Sequence, residues 1–124
     1  LLVNKARPFI FTTGLTPADA AAALAAIRIL RSDDGAALVE KVRKHTDRIA
    51  PGHASPIVPI IVGDEQAAVD AAAALLESGL WVPAIRPPTV APGTSRLRLT
   101  FSAAHTDEQV DRLVEALIDL GLAT

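Results

Sequence analysis

The sequence predicts an α/β domain of the two-layer α+β kind. It should hold a small mixed or antiparallel sheet of about three strands, with helices packed on one face, in the order ααβαββα. Three observations lead there. Apolar residues recur at helical spacing in four segments, and they alternate or run together in three short ones bounded by Gly, Pro, Asp or Ser. One helical segment lies between the first two strand-like runs, which calls for a right-handed β-α-β crossover, and the third run follows closely enough to return antiparallel. Half of the 124 residues are apolar, yet only Phe9, Phe11, Phe101 and Trp81 are aromatic, so Ala, Val, Ile and Leu must bring helix and sheet together closely.

The elements follow in order. Residues 7–14, RPFIFTTG, read as a short extended segment, because Arg7 precedes a proline and is biased away from helix. Thr16 caps a helix that Pro17 opens, and Ala20, Ala23, Leu24, Ile27 and Leu30 form its apolar stripe. Ser32-Asp33-Asp34-Gly35 reads as a break, or at least a kink. A second helix, roughly 36–49, is mostly polar and reads as a solvated surface, with Leu38, Val42 and Ile49 as its apolar positions.

After the turn-rich PGHASP, Ile57 to Val62 form a strand ending at Gly63, although Pro59 cannot donate to a ladder. Asp64 caps a third helix with Val69, Ala72, Ala73 and Leu76 as its buried face, and Gly79 ends it. Leu80 to Ile85 is the second strand. Ser95 to Phe101 is the third: Leu97, Leu99 and Phe101 point one way, Arg96, Arg98 and Thr100 the other. Thr106-Asp107-Glu108-Gln109 is a capping box, and Val110, Leu113, Val114, Leu117 and Ile118 form the stripe of the last helix.

Composition narrows the function. A net charge of −2 argues against a nucleic-acid surface, which needs a basic excess. No cysteine is present, so thiolate chemistry and disulfides are excluded, and a cytoplasmic location is expected. Apolar runs such as AAAALAAI are too short to cross a bilayer, so no membrane partner is expected. His45, His53 and His105 lack metal spacing. His45 reads as a surface helix residue and His105 as a turn residue.

The stretch AIRPPTVAPGTSRLRLT, Ala84 to Thr100, carries the chemistry. Arg86, Arg96 and Arg98 stand among Pro87, Pro88 and Pro92. Alternation puts Arg96 and Arg98 on the polar sheet face, roughly 7 Å apart. A guanidinium fork matches a carboxylate, and a stiff loop loses little entropy on binding. Surface ion pairs with Asp or Glu are the competing explanation, and the two stand about level. Thr12-Thr13-Gly14 before a helix could likewise reach a phosphate or simply form a capping turn.

Beyond composition and spacing, IRPPTV followed by G-T-x-R-L-R, together with RPFIFTTGLTP, SPIVPIIVGD and Gly79-Leu80-Trp81-Val82, resembles the C-terminal signature of the 8-amino-7-oxononanoate synthases. These are the biotin-pathway branch of the α-oxoamine synthases. The resemblance covers nearly the whole chain. It implies a cytoplasmic homodimer of the type I aminotransferase-like fold that uses pyridoxal phosphate to condense L-alanine with a pimeloyl thioester, on CoA or a carrier protein. It also implies that residues 1–15 are an extended lead-in and 16–124 the C-terminal small domain of a longer enzyme, inactive alone, since Lys5, Lys41 and Lys44 lie outside the family's lysine context.

Carried over, Arg98 would grip the alanine carboxylate and Thr89 would meet substrate at the acyl tunnel. Arg86 would help with the pimeloyl carboxylate, and Thr12 and Thr13 would reach the cofactor phosphate of the neighbouring subunit. No residue of this chain is expected to be catalytic. PGHASP is short where the family carries a further strand. Glycine- or serine-using relatives, or a non-enzymatic amino-acid-binding module, are the alternatives.

Overall fold

The structure is a computed structural model that describes residues 2–5, 14 and 16–123. They cluster into two compact units, Leu1–Ala36 and Ala37–Thr124.

In the first unit, Leu2–Lys5 form one helical turn, α1. This departs from the extended lead-in expected over 1–15; the proline that biases the backbone away from helix comes only at Pro8, beyond this turn. The rest of the expected extended segment, except Gly14, lies outside the described residues. Helix α2 (Pro17–Leu30) starts as read, with the Thr16 side chain accepting the Asp19 N–H at 3.2 Å. Its stripe stands largely exposed: Leu24, Ile27 and Leu30 are 48, 51 and 64% exposed.

Helix α3 spans Asp33–Asp47, so the chain does break between the helices, but at Arg31–Ser32, and the rest of the expected 32–35 break is the start of α3. Ser32 Oγ accepts the Gly35 N–H at 3.3 Å, and Asp33 and Asp34 place negative charge in the first turn, where the helix dipole favours it. Gly35 is required there. A Cβ would collide with the Ile29 carbonyl oxygen and lie 2.8 Å from the backbone of Leu30, so only glycine lets α3 begin so soon after α2 ends.

The second unit holds a three-stranded sheet of order β1-β3-β2, made of β1 (Ile57–Gly63), β2 (Ala84–Ile85) and β3 (Ser95–Thr100). Helix α4 (Glu65–Glu77) joins β1 to β2, and β3 fills the place between them, antiparallel to both. The sheet is therefore antiparallel at every pairing rather than mixed, because β1 and β2 run the same way without touching. Pro59 is tolerated because β1 is an edge strand. The expected second strand, Leu80 to Ile85, pairs only at its end. The Pro83 carbonyl still accepts the Arg98 N–H at 3.0 Å, but Pro83 has no N–H to return, and the ladder stops there. The further strand that the family carries before β1 does not occur among the described residues.

Turn chemistry ends the helices where the sequence indicates. The Asp64 side chain accepts the Ala67 N–H at 2.8 Å at the start of α4. Gly79 takes φ +77° at its end, and the Leu80 N–H reaches the Leu75 carbonyl at 2.8 Å. Helix α5 (Asp107–Asp119) carries both bonds of the Thr106–Gln109 capping box.

The core consists of Val58, Leu75, Val82, Leu97, Leu99, Phe101, Val110 and Leu117. Helix α4 packs on all three strands. Its buried face is Ala68, Ala71, Ala72 and Leu75, one residue off the expected Val69, Ala72, Ala73 and Leu76; Leu76 is 58% exposed. Alanines fill most of this helix, so neighbouring stripes differ little in hydrophobicity, and close approach selects the stripe with the smallest side chains against the sheet. In α5, Val110 and Leu117 are buried and Leu113 packs beside them, whereas Ile118 stands out in solvent.

Candidate functional site

Strand β3 alternates as read. Ser95, Leu97 and Leu99 are buried, while Arg98 and Thr100 are exposed and Arg96 is half-buried. The register adds what the sequence could not. Ile57 lies opposite Thr100, Pro59 opposite Arg98 and Ile61 opposite Arg96 on the β1 side, and Ile85 lies opposite Arg96 on the other. Residues directly opposite share a face. The open sheet face is thus a band of Ile57, Pro59 and Ile61 running alongside the two arginines.

The three arginines differ in what holds them. Arg96 donates from Nε to the Thr94 carbonyl at 3.0 Å, which fastens it to its own strand. The side chains of Arg86 and Arg98 make no hydrogen bond or ion pair among the described residues; the lysine and arginine ion pairs there are Lys44–Asp107 and Arg48–Asp111. The competing explanation by surface carboxylate pairing therefore does not hold among the described residues. The backbone of Arg98 is fixed by its ladder bond to Pro83, so its guanidinium projects from a defined point.

Two tied turns make up the loop before β3. The Thr89 N–H donates to the Arg86 carbonyl at 3.1 Å, and Thr94 Oγ1 donates to the Ala91 carbonyl at 2.7 Å. The Pro87–Pro88 bond is cis. Thr89 is exposed in this loop. Arg86 lies one residue past the Ile85–Arg96 pair, and Arg98 one past the Ala84–Leu97 pair in the other direction. The two thus stand about 10 Å apart along the sheet rather than converging. Thr12 and Thr13 lie outside the described residues.

His45 corrects the surface reading. It is fully buried, and Nε2 lies 3.0 Å from Oδ1 of Asp107, whose other oxygen accepts from Lys44 Nζ at 3.1 Å. Hydrogen bonds from Lys44 first and His45 second hold the Asp107 carboxyl below its ordinary range. The lysine-rich, arginine-rich sequence of α3 hides this residue. The signal available was the acidic first turn of α5, Asp107 and Glu108, which wants cations beside it. His105 is the turn residue expected, its Nδ1 accepting the Ser102 N–H at 3.2 Å.

Lys41 Nζ donates to the Ala103 carbonyl at 2.8 Å, and Lys44 pairs with Asp107. Among the described residues no helix is long and apolar enough to cross a membrane.

The second unit is thus an α/β domain whose sheet is helix-covered on one face and open on the other, with Arg98 fixed on the open one. The chain belongs to the aminotransferase class I and II family, which matches residues 1–117. It is 49% identical over 126 residues to an 8-amino-7-oxononanoate synthase of Methylobacterium sp. (strain 4-46), covering 99% of this chain and 33% of that protein. The chain therefore spans about a third of the length of the curated relatives it matches. Among solved structures, a variant of SPT with PLP superimposes with a TM-score of 0.78 at 29% identity, covering 93% of this chain and 32% of the other. Sphingomonas wittichii serine palmitoyltransferase superimposes with a TM-score of 0.73 at 31% identity, over 99% and 34%.

Proposed function

We propose that this chain is the C-terminal part of a pyridoxal-phosphate-dependent acyltransferase. The complete enzyme would condense L-alanine with pimeloyl-CoA, or the pimeloyl carrier-protein thioester, to 8-amino-7-oxononanoate, carbon dioxide and free carrier. Support comes from the 49% identity to a relative of that name and from a structural neighbour that holds PLP. One observation carries the share of this chain: Arg98 projects from a paired strand with no carboxylate partner among the described residues.

The family resemblance implies the role, and that geometry supports it. Arg98 binds the alanine carboxylate through its fork, and the ladder on both sides of β3 keeps the fork from drifting. Thr89, on a tied turn, meets the acyl donor. Arg86, about 10 Å along the sheet, suits the far carboxylate of the pimeloyl chain better than the same anion. Thr12 and Thr13 serve the cofactor phosphate of the neighbouring subunit in a cytoplasmic homodimer. No catalytic step is assigned to this chain; it binds and orients, and alone it is inactive. The alanine-using assignment rests on curated relatives of that name, 49 and 50% identical to this chain.

The experiment is an assay of the complete enzyme with carboxyl-labelled alanine, glycine and serine in turn. Release of labelled carbon dioxide should depend on pimeloyl thioester and be fastest with alanine. Faster release from glycine or serine, or release without the thioester, would overturn the reading.

A further inference from the structure

We propose that a cavity bounded by the chain after α4, the end of β3 and the first turns of α5 binds an amphipathic organic anion. The ligand class is a carboxylate or phosphate monoester carrying an apolar chain. The cavity has a volume of about 360 Å³. That falls in the range of small-molecule sites, about 300–1,000 Å³. Neither Arg86, Thr89 nor Arg98 lines it, so the inference stands apart from the proposed function.

The polar part of its wall offers donors with their acceptors already used. His105 takes the Ser102 N–H on Nδ1 at 3.2 Å, which leaves the ring proton on Nε2. Gln109 uses Oε1 to accept the Thr106 N–H at 2.9 Å, which leaves its NH₂ group. Arg112 donates one Nη2 bond to the Ser78 carbonyl at 2.8 Å, which anchors the guanidinium and leaves its other N–H groups. No Asp or Glu lines the cavity.

The rest of the wall is apolar apart from the Thr100 hydroxyl. It is made mainly of Val82, Phe101 and Leu113, and Trp81, 85% exposed, also lines it. An exposed indole beside an apolar floor loses water when a chain or ring covers it. A cationic fork, an imidazole N–H and an amide NH₂ around that floor select a ligand with a negative head and an apolar body. A neutral lipid lacks the head, and inorganic phosphate lacks the body.

The test uses the full chain labelled with 5-fluorotryptophan. Trp81 is its single tryptophan, and its ¹⁹F resonance is assigned by its loss in Trp81→Phe. Octanoate, octyl phosphate and octanol are titrated separately. Octanoate or octyl phosphate should shift the resonance saturably, and the tighter of the two assigns the head group; octanol at the same concentration should not. Gln109→Glu keeps the capping box, because glutamate serves at that position, but sets a carboxylate oxygen at the cavity. It should weaken anion binding about tenfold or more with an unchanged melting temperature. Arg112→Gln should weaken it similarly. The proposal is overturned if neither anion shifts the resonance, if octanol binds as well as the anions, or if Gln109→Glu binds them as tightly as the unaltered chain.

Discussion

The buried imidazole of His45 lies 3.0 Å from Oδ1 of Asp107, at the point where the last turn of α3 meets the first turn of α5. Lys44 holds the second oxygen of the same carboxylate at 3.1 Å, and Arg48 pairs with Asp111 one turn further on. A carboxylate in the first turn of α5 also faces the positive end of that helix. Asp107 thus gathers two side chains of α3, and the tie leaves the open sheet face free.

This tie predicts how stability depends on pH. Asp107 is depressed below its ordinary value, so its contribution is present above the unfolded carboxylate pKa and is lost as pH falls through the folded one. Denaturant titrations of the unaltered chain and Asp107→Asn should differ at neutral pH and converge below about pH 4. A difference that widens as pH falls would contradict the assignment.

Neighbouring residues of β3 should separate stability from function. Leu97 is fully buried in the core, and Leu97→Ala should cost about 2–5 kcal/mol. Arg98 is exposed, and Arg98→Ala should change stability by less than about 0.5 kcal/mol. Denaturant midpoints with an unchanged slope would report both. A cost at Arg98 like that at Leu97 would make it a structural residue.

Gly79 stands at φ +77°, where a Cβ would meet only the Arg112 guanidinium at 3.6 Å. Space is therefore ample and the cost of a side chain is conformational. Gly79→Ala should destabilise by about 1 kcal/mol, read from thermal unfolding. A neutral result would mean that the turn after α4 is not held left-handed.

Much of this was legible in the sequence because the signals were strong. Alternation in β3 sorts Leu97, Leu99 and Phe101 from Arg96 and Arg98 without help. The caps at Thr16, Asp64 and Thr106 use side chains suited to few other places. Legibility failed where residue types carry little contrast. The alanines of α4 permit two adjacent stripes, and the sheet chooses between them. His45 looks solvated among Arg43, Lys44 and Arg48, yet it is fully buried, with Asp107 of α5 against its Nε2. The stripe of α2 was read correctly as apolar, yet periodicity says nothing of what covers it, and here it stands exposed. In the candidate site, the two exposed arginines were visible in sequence. Their separation by the register, and the Ile57, Pro59 and Ile61 band beside Arg98, were not, because pairing partners are distant in the chain.

The most direct test is the kinetics of Arg98→Ala and Arg98→Lys in the complete enzyme, with alanine varied at saturating pimeloyl thioester. A lost fork should raise the KM for alanine about ten- to a hundredfold, with a smaller rise for lysine, and leave the KM for the thioester unchanged. An unchanged KM for alanine in a folded Arg98→Ala enzyme would contradict the claim that this guanidinium receives the amino-acid carboxylate.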